Sequence, residues 1–376
     1  MVRVRDEAML VGVDGGATSV RAHVVVEEIG LLVDTGCSAS LEHADLRPAG
    51  LAPFEPLALA VQQAEHARGM IQPTPEEQAE SARRARGVAR VVAEALRASS
   101  GQSGPWRARV GLCWPGLKDD AGAGVLVAKN GPRAPRLLAD IAEALRAVGV
   151  ELAAQLPPLM SDGVACGLGE RHATTGALRG IDHGWYFGGG TGLAEAALVD
   201  GRVQSIDGLG PRWKRAWELV SRSFGVGFEE LVSAGGIEAA WRRQGGAGRA
   251  VDAALAGDSN ARELLRRGAA ALAELCVERI LCLHAQRGIV LQRIVVGQRT
   301  GEWCADPRLD DCCAAVLRAE LAARLLQEAP DGVLRQWLPG GERPDRVVAS
   351  TLRAAPALGA ASVWLTAQAE EALARA

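Results

Sequence analysis

The chain has 376 residues, beyond the size at which one hydrophobic core usually stops growing, so two domains are expected. Its 48% hydrophobic content suffices for large cores, and a net charge of −3 without an extended basic block argues against nucleic-acid or anionic-membrane surfaces. The N-terminal apolar run is broken at Asp14 and reads as neither a signal peptide nor a membrane span. The eight cysteines include no Cys-x-x-Cys pair, and His284 near Cys282 has no second pair to complete a zinc site. Most lie in apolar runs, where cysteine acts as a small hydrophobe, which fits reduced thiols in a cytoplasmic protein.

Along the chain, Met9–Val13, Val20–Val26 and Leu31–Thr35 read as a three-stranded meander with turns at Gly15-Gly16 and Ile29-Gly30. Pro75–Ser99 reads as a long helix with Glu76, Glu77 and Glu80 at its negative-favouring start. A strand over Arg109–Trp114, a helix over Arg136–Val148 and a short strand over Leu156–Met160 lead into Ser161-Asp162-Gly163 and a short helix to Glu170. The order then restarts with Gly184–Phe187, Glu195–Val199 and Arg202–Ile206, a second meander at the scale of a domain. Trp213–His284 is mainly helical and Ile289–Val296 is a buried strand. Pro307–Gln327 reads as a helix with proline at its first position, Gly332–Asp345 as a surface loop, Arg346–Ala349 as a strand and Leu358–Arg375 as the closing helix.

Two glycine turns carry the chemistry. Val11–Arg21 and Tyr186–Leu193 each join an apolar strand to a second β-rich run through a Gly/Thr turn. Glycine lets backbone N–H groups approach an anion, and Thr adds a hydroxyl donor. A tight turn would alone explain Asp14-Gly15, since Asp-Gly is a hairpin signal. With the second loop present, Asp14 reads as a Mg²⁺ ligand acting through water, while Gly15, Gly16 and Thr18 touch phosphate oxygens. Gly190, Thr191 and Gly192 would contact phosphate in the same way. Asp162, where strand meets helix, would serve as an N-cap. Glu195 would repel phosphate if it faced the nucleotide. Trp114 reads as core, and His172 and His183 as surface residues.

In order and spacing these segments resemble the actin-like ATPase superfamily of sugar kinases, and within it the ROK family. Val11–Arg21 resembles the phosphate-1 loop, and Pro157–Glu170 the catalytic segment that ends in Leu-Gly-Glu. Gly190–Val203 resembles the phosphate-2 hairpin, Arg293–Gly297 the adenosine strand and loop, and Ala357–Ala361 the start of the last helix. The resemblance implies an α/β fold of two ribonuclease-H-like domains with an interdomain cleft. The first would cover 1–135 and recover the last helix, 358–375; the second would cover 136–357 with a helical insertion. It also implies ATP and Mg²⁺ as cofactors, a sugar-like substrate, a homodimer, and no membrane or nucleic-acid partner. The resemblance further implies that Asp162 is the general base of phosphoryl transfer to a hydroxyl. By resemblance Gly297 joins the nucleotide site and Asn130 contacts sugar hydroxyls, while Arg133 would meet an anionic group on the acceptor. The chain departs from the family pattern at Ala194-Glu195-Ala196, at Gln298-Arg299, and at Gly208–Trp213, where the Glu-x-Gly-His sugar motif and cysteine-rich zinc loop would follow. Side chains at Gln298 and Arg299 imply weak nucleotide affinity or a relaxed choice of base. These departures leave a non-catalytic nucleotide-binding regulator, or an ATPase that activates another enzyme, as rival readings.

Overall fold

The structure is a computed structural model that describes residues 8–338 and 346–365. The chain forms two compact units, one up to Thr174 and again from Ala354, the other Thr175–Arg353. Each is built on one five-stranded sheet.

In the first unit β1 (Met9–Gly15), β2 (Ser19–Glu28) and β3 (Leu31–Glu42) form the antiparallel meander. β4 (Trp106–Cys113) runs parallel to β1; β5 (Leu117–Lys118) and β6 (Val125–Val127) form a small separate hairpin. β7 (Val150–Leu152) pairs parallel with β4, giving the order β3-β2-β1-β4-β7. The second unit repeats the pattern with β8 (Gly184–Gly189), β9 (Leu193–Val199), β10 (Arg202–Gln204), β11 (Arg293–Gly297) and β12 (Val347–Ala349). Its order is β10-β9-β8-β11-β12, with the meander antiparallel and β11 and β12 parallel to β8. Both sheets thus set three antiparallel strands beside two parallel crossovers, as the restart in the sequence implied.

The helices of the first unit are α1 (Leu59–Ala67), α2 (Pro75–Ser100), α3 (Leu137–Ala147) and α4 (Asp162–His172). Thr74 and Glu77 form a capping box at the start of α2, Pro75 takes the first turn, and Gly101 closes it at φ 67°. The second unit holds α5 (Phe228–Val232), α6 (Ala234–Arg243), α7 (Ala250–Leu255), α8 (Ser259–Arg287), α9 (Gln298–Ala305), α10 (Ala314–Glu328) and α11 (Asp331–Trp337). α8 supplies Leu272, Leu275, Ile280 and Leu283 to a core shared with Trp185, Phe187 and Trp337. The last helix, α12 (Ala355–Ala361), returns to the first unit.

α12 lies on the first sheet at backbone contact. A methyl group on Gly12 would stand 1.9 Å from the Ala357 carbonyl oxygen, and one on Gly111 equally close to that of Ala360. Gly111→Ala is therefore expected to destabilise by about 1–3 kcal/mol through overpacking, read as a lowered urea midpoint at unchanged slope.

Several expectations shift. The first unit runs on to Thr174, not residue 135, because β7 joins the first sheet and α3 packs on α2. Leu156–Met160 makes only the single Cys113–Met160 bridge, since Pro157 and Pro158 have no N–H to give a ladder. Pro307 opens a short 3₁₀ turn, and the helix begins at Ala314. Gly332 lies within α11, not in a loop. The rest of the loop expected to run to Asp345, through residues 339–345, lies outside the described residues, as does the closing helix beyond residue 365.

Candidate functional site

β1 and β4 run side by side with Asp14 level with Cys113, so both strands deliver their last side chains to one end of the sheet. The Cys113 thiol donates to Asp14 Oδ1 at 3.7 Å. One bridge further, Met160 pairs with Cys113, and α4 starts two residues later with Asp162. The cap of α4 is Ser161, whose Oγ accepts the Val164 N–H at 3.3 Å. This corrects the capping role expected of Asp162, which occupies the first helical position and accepts the Gly163 N–H at 3.0 Å. Capping and chemistry are divided between neighbours.

The two carboxylates feel one another. Asp14 is pushed up to about 6, chiefly by burial and next by the Asp162 charge, against the pull of Arg21 and the Cys113 thiol. Burial, reinforced by Asp14, pushes the Cys113 thiol well above its ordinary range. A carboxylate whose folded pKa exceeds its unfolded value of 3.8 stabilises the fold below that value and loses this as pH rises through about 6. Without metal, Asp14→Asn is thus expected to raise stability at pH 8 by about 1–3 kcal/mol and to give no gain near pH 4. Denaturant titrations at both pH values check this.

Sequence reasoning missed Lys118. The Pro115-Gly116 turn folds back, with Gly116 at φ 101°, and the Lys118 ammonium donates to the carbonyls of Trp114 at 2.5 Å and Gly116 at 2.9 Å. Burial pulls its pKa down, while Asp162 and Cys113 push it up. The only signal in the sequence was a lysine three residues after a strand-ending Pro-Gly turn. His43 was missed as well. Its backbone N–H donates to the Thr18 carbonyl at 2.8 Å, and its ring Nε2 lies 3.1 Å from the Gly16 carbonyl, fixing the glycine turn. Burial lowers the His43 pKa to about 4, so the ring is neutral. Gly15 and Gly16 form the turn and Thr18 is exposed on it; a methyl on Gly15 would collide with the Trp114 ring, which is core.

Asn130 is exposed after β6. Arg133 is not available to an acceptor. Its guanidinium is fully buried against Glu77, with Nη2 donating at 2.6 Å, and it also binds Glu65 and the Gln72 carbonyl. The reason lies in the two acids at the start of α2, Glu77 and Glu80. The first holds Arg133, and the second Arg84 and Arg47.

In the second unit the Gly190-Thr191-Gly192 loop closes on itself, the Gly190 N–H donating to the Gly192 carbonyl at 3.0 Å. The Thr300 hydroxyl, at the start of α9, bonds the Gly189 and Val232 carbonyls and ties the loop to α5. Glu229 accepts the Leu193 N–H at 3.2 Å. Gly297 ends β11, where a side chain would strike the Tyr186 hydroxyl. Gln298 follows in the left-handed region at φ 56°, and its Oε1 would lie 2.4 Å from a methyl on Gly190. Glu195 faces away from the loop. It is buried with Arg279 at 2.9 Å and accepts from the Trp185 indole at 3.0 Å, with Arg279 also over the Trp185 and Trp213 rings. His183 accepts the Asp200 N–H at 3.3 Å, closing the β9–β10 turn. Among the described residues no helix is long and apolar enough to cross a membrane.

No family model and no curated protein matches the chain. Solved structures do. A ROK-family glucokinase from Streptomyces griseus, in complex with glucose and AMPPNP, superposes with a TM-score of 0.57 at 19% identity, over 95% of this chain and 99% of its own. A ROK hexokinase from Thermus thermophilus gives 0.51 at 18%, over 96% and 99%. A ROK-family protein from Streptococcus pneumoniae, in complex with sucrose, gives 0.52 at 15%, over 96% and 99%. The chain has the fold of the ROK sugar kinases. At these identities the likeness speaks for the fold.

Proposed function

We propose that the protein is an ATP- and Mg²⁺-dependent carbohydrate kinase. One observation carries the reading: Asp14 and Asp162, 148 positions apart in sequence, come to the same end of the first sheet, Asp14 accepting from the Cys113 thiol and Asp162 standing two residues after the Met160 that bridges to Cys113. Asp162 is the general base, taking the proton of a sugar hydroxyl as its oxygen attacks the γ-phosphoryl group. Ser161 supports this by capping α4, which fixes the base on a rigid helix start. In the first unit Gly15, Gly16 and Thr18 are the phosphate-binding candidates; in the second, Gly190, Thr191, Gly192 and Gly297 are the nucleotide-binding candidates. Asn130, exposed and able both to donate and to accept, binds acceptor hydroxyls.

Asp14 suits Mg²⁺, which takes one or two carboxylates and completes its shell with water and phosphate oxygens. A carboxylate raised first by burial and then by a neighbouring carboxylate gains from a cation that compensates both. Among the described residues no three acidic, histidine or cysteine groups converge as a self-sufficient metal site, so Asp14 would hold the ion together with the donor. Bound there, Mg²⁺ would neutralise phosphate charge. The glucose and AMPPNP of the Streptomyces griseus complex favour a sugar and ATP as the pair. The eight cysteines, none of them in a disulfide, fit a cytoplasmic setting, and we take the working form to be a homodimer on resemblance alone. A panel of sugars with Mg·ATP, read by ADP release, tests the reading; no turnover with any sugar, despite ATP binding, would favour the regulator.

Gln298 favours weak nucleotide binding in either case. Its side chain lies over the glycine loop, and its left-handed backbone costs about 1–2 kcal/mol for a residue other than glycine. Gln298→Gly should bind ATP about tenfold more tightly by calorimetry, the equivalent of roughly 1.4 kcal/mol.

A further inference from the structure

The Lys118 ammonium bonds the carbonyl of Trp114, whose own N–H donates to the Met160 carbonyl at 3.0 Å, two residues before Asp162, and the reaction just described does not use it. Its backbone is held by the β5–β6 hairpin, paired with Val125. Two carbonyl oxygens, of Trp114 and Gly116, receive two of its three N–H donors. Among the described residues it forms no ion pair, although the Asp162 charge acts on it. A half-buried ammonium without a bound counter-charge carries a desolvation cost, part of which is recovered when an anion arrives. In direct contact with Asp162 it would neutralise the base. Near the base but unpaired, it is placed for what lies beyond the attacking oxygen. A general base sits roughly 3 Å from the oxygen it deprotonates, with the phosphorus on the far side of that oxygen.

Resting on the kinase reading, we propose that Lys118 is a catalytic residue of the transfer, its ammonium meeting an oxygen of the phosphoryl group as it passes to the acceptor. In this step the acceptor oxygen bonds to the γ-phosphorus, the bond to the β–γ bridging oxygen breaks, and its electron pair leaves with ADP. The hydroxyl proton goes to Asp162, and Lys118 keeps its own. The ammonium acts by stabilising charge on the equatorial oxygens, an effect that grows toward the transition state.

Aluminium fluoride with Mg·ADP mimics that state and requires no knowledge of the acceptor. In calorimetry on the full chain, aluminium fluoride should tighten ADP binding to the wild type. Lys118→Gln keeps an N–H donor for the carbonyls and removes the charge. It should bind Mg·ADP nearly as the wild type does but lose about 10²-fold of the tightening, the scale of a single donor to a transition state. Lys118→Arg should recover much of it, which a merely structural lysine would not require. Equal tightening in wild type and Lys118→Gln overturns the proposal, as does absence of tightening in a wild type that binds Mg·ADP. A wild type that binds no Mg·ADP overturns the kinase reading itself.

Discussion

Asp162→Asn is expected to lower turnover by about 10²–10⁴-fold, the range for loss of a general base, while leaving the fold intact. The amide has the carboxylate's volume but cannot accept the hydroxyl proton as the phosphorus–oxygen bond forms. Stability should change by less than about 1 kcal/mol, because Ser161 and not Asp162 caps α4. The complementary variant, Ser161→Ala, should cost about 1 kcal/mol of stability through the lost cap. Steady-state kinetics with the best sugar of the panel, beside urea unfolding of both variants, provides the measurement. If Asp162→Asn turns over normally, the base has been misassigned and the juxtaposition with Asp14 loses its catalytic meaning.

Glu195→Ala is expected to be the most damaging single substitution to stability, at about 3–5 kcal/mol. Arg279 is fully buried, and Glu195 is its main counter-charge, with the Lys214 carbonyl as a further acceptor at 2.8 Å. Removing the carboxylate leaves the guanidinium over Trp185 and Trp213 with only the partly exposed Glu278, at 3.0 Å, as counter-charge among the described residues, and also leaves the Trp185 indole and the Ala216 N–H without their acceptor. Replacing both partners is different. Glu195→Leu with Arg279→Met should recover much of the loss, since a packed apolar pair requires no charge desolvation. Urea midpoints for the two singles and the double form a cycle that decides whether the charge or the volume matters. If the double is as unstable as Glu195→Ala, packing of the guanidinium over the indoles is the larger part.

The meanders were legible because alternation and turn chemistry are local: Asp14-Gly15-Gly16 and Gly190-Thr191-Gly192 announce their turns within a few residues. The long α2 was legible from Pro75 and its acidic first turns, while the Thr74 cap appeared only in the structure. From these the restart of strand order followed, and with it the duplicated sheet. The positions of Asp14 and Asp162 were legible as a strand end and a helix start, since Asp14 stands one residue before the end of β1 and Asp162 opens α4.

What surrounds them was not. Arg133 follows a polar turn and reads as free, but it is drawn inward by Glu77, 56 residues earlier. Glu195 lies two residues after β9 begins, and only the β8–β9 pairing with α8 behind it decides that it meets Arg279 and not a phosphate. Lys118 becomes part of the candidate site because a glycine at φ 101° reverses the chain. Local sequence determines where elements begin and end, because hydrogen bonds, turns and caps act over a few residues. Tertiary structure alone decides which charges share an enclosure, since a buried charge is tolerated only beside a partner and that partner is chosen by packing, not by distance along the chain.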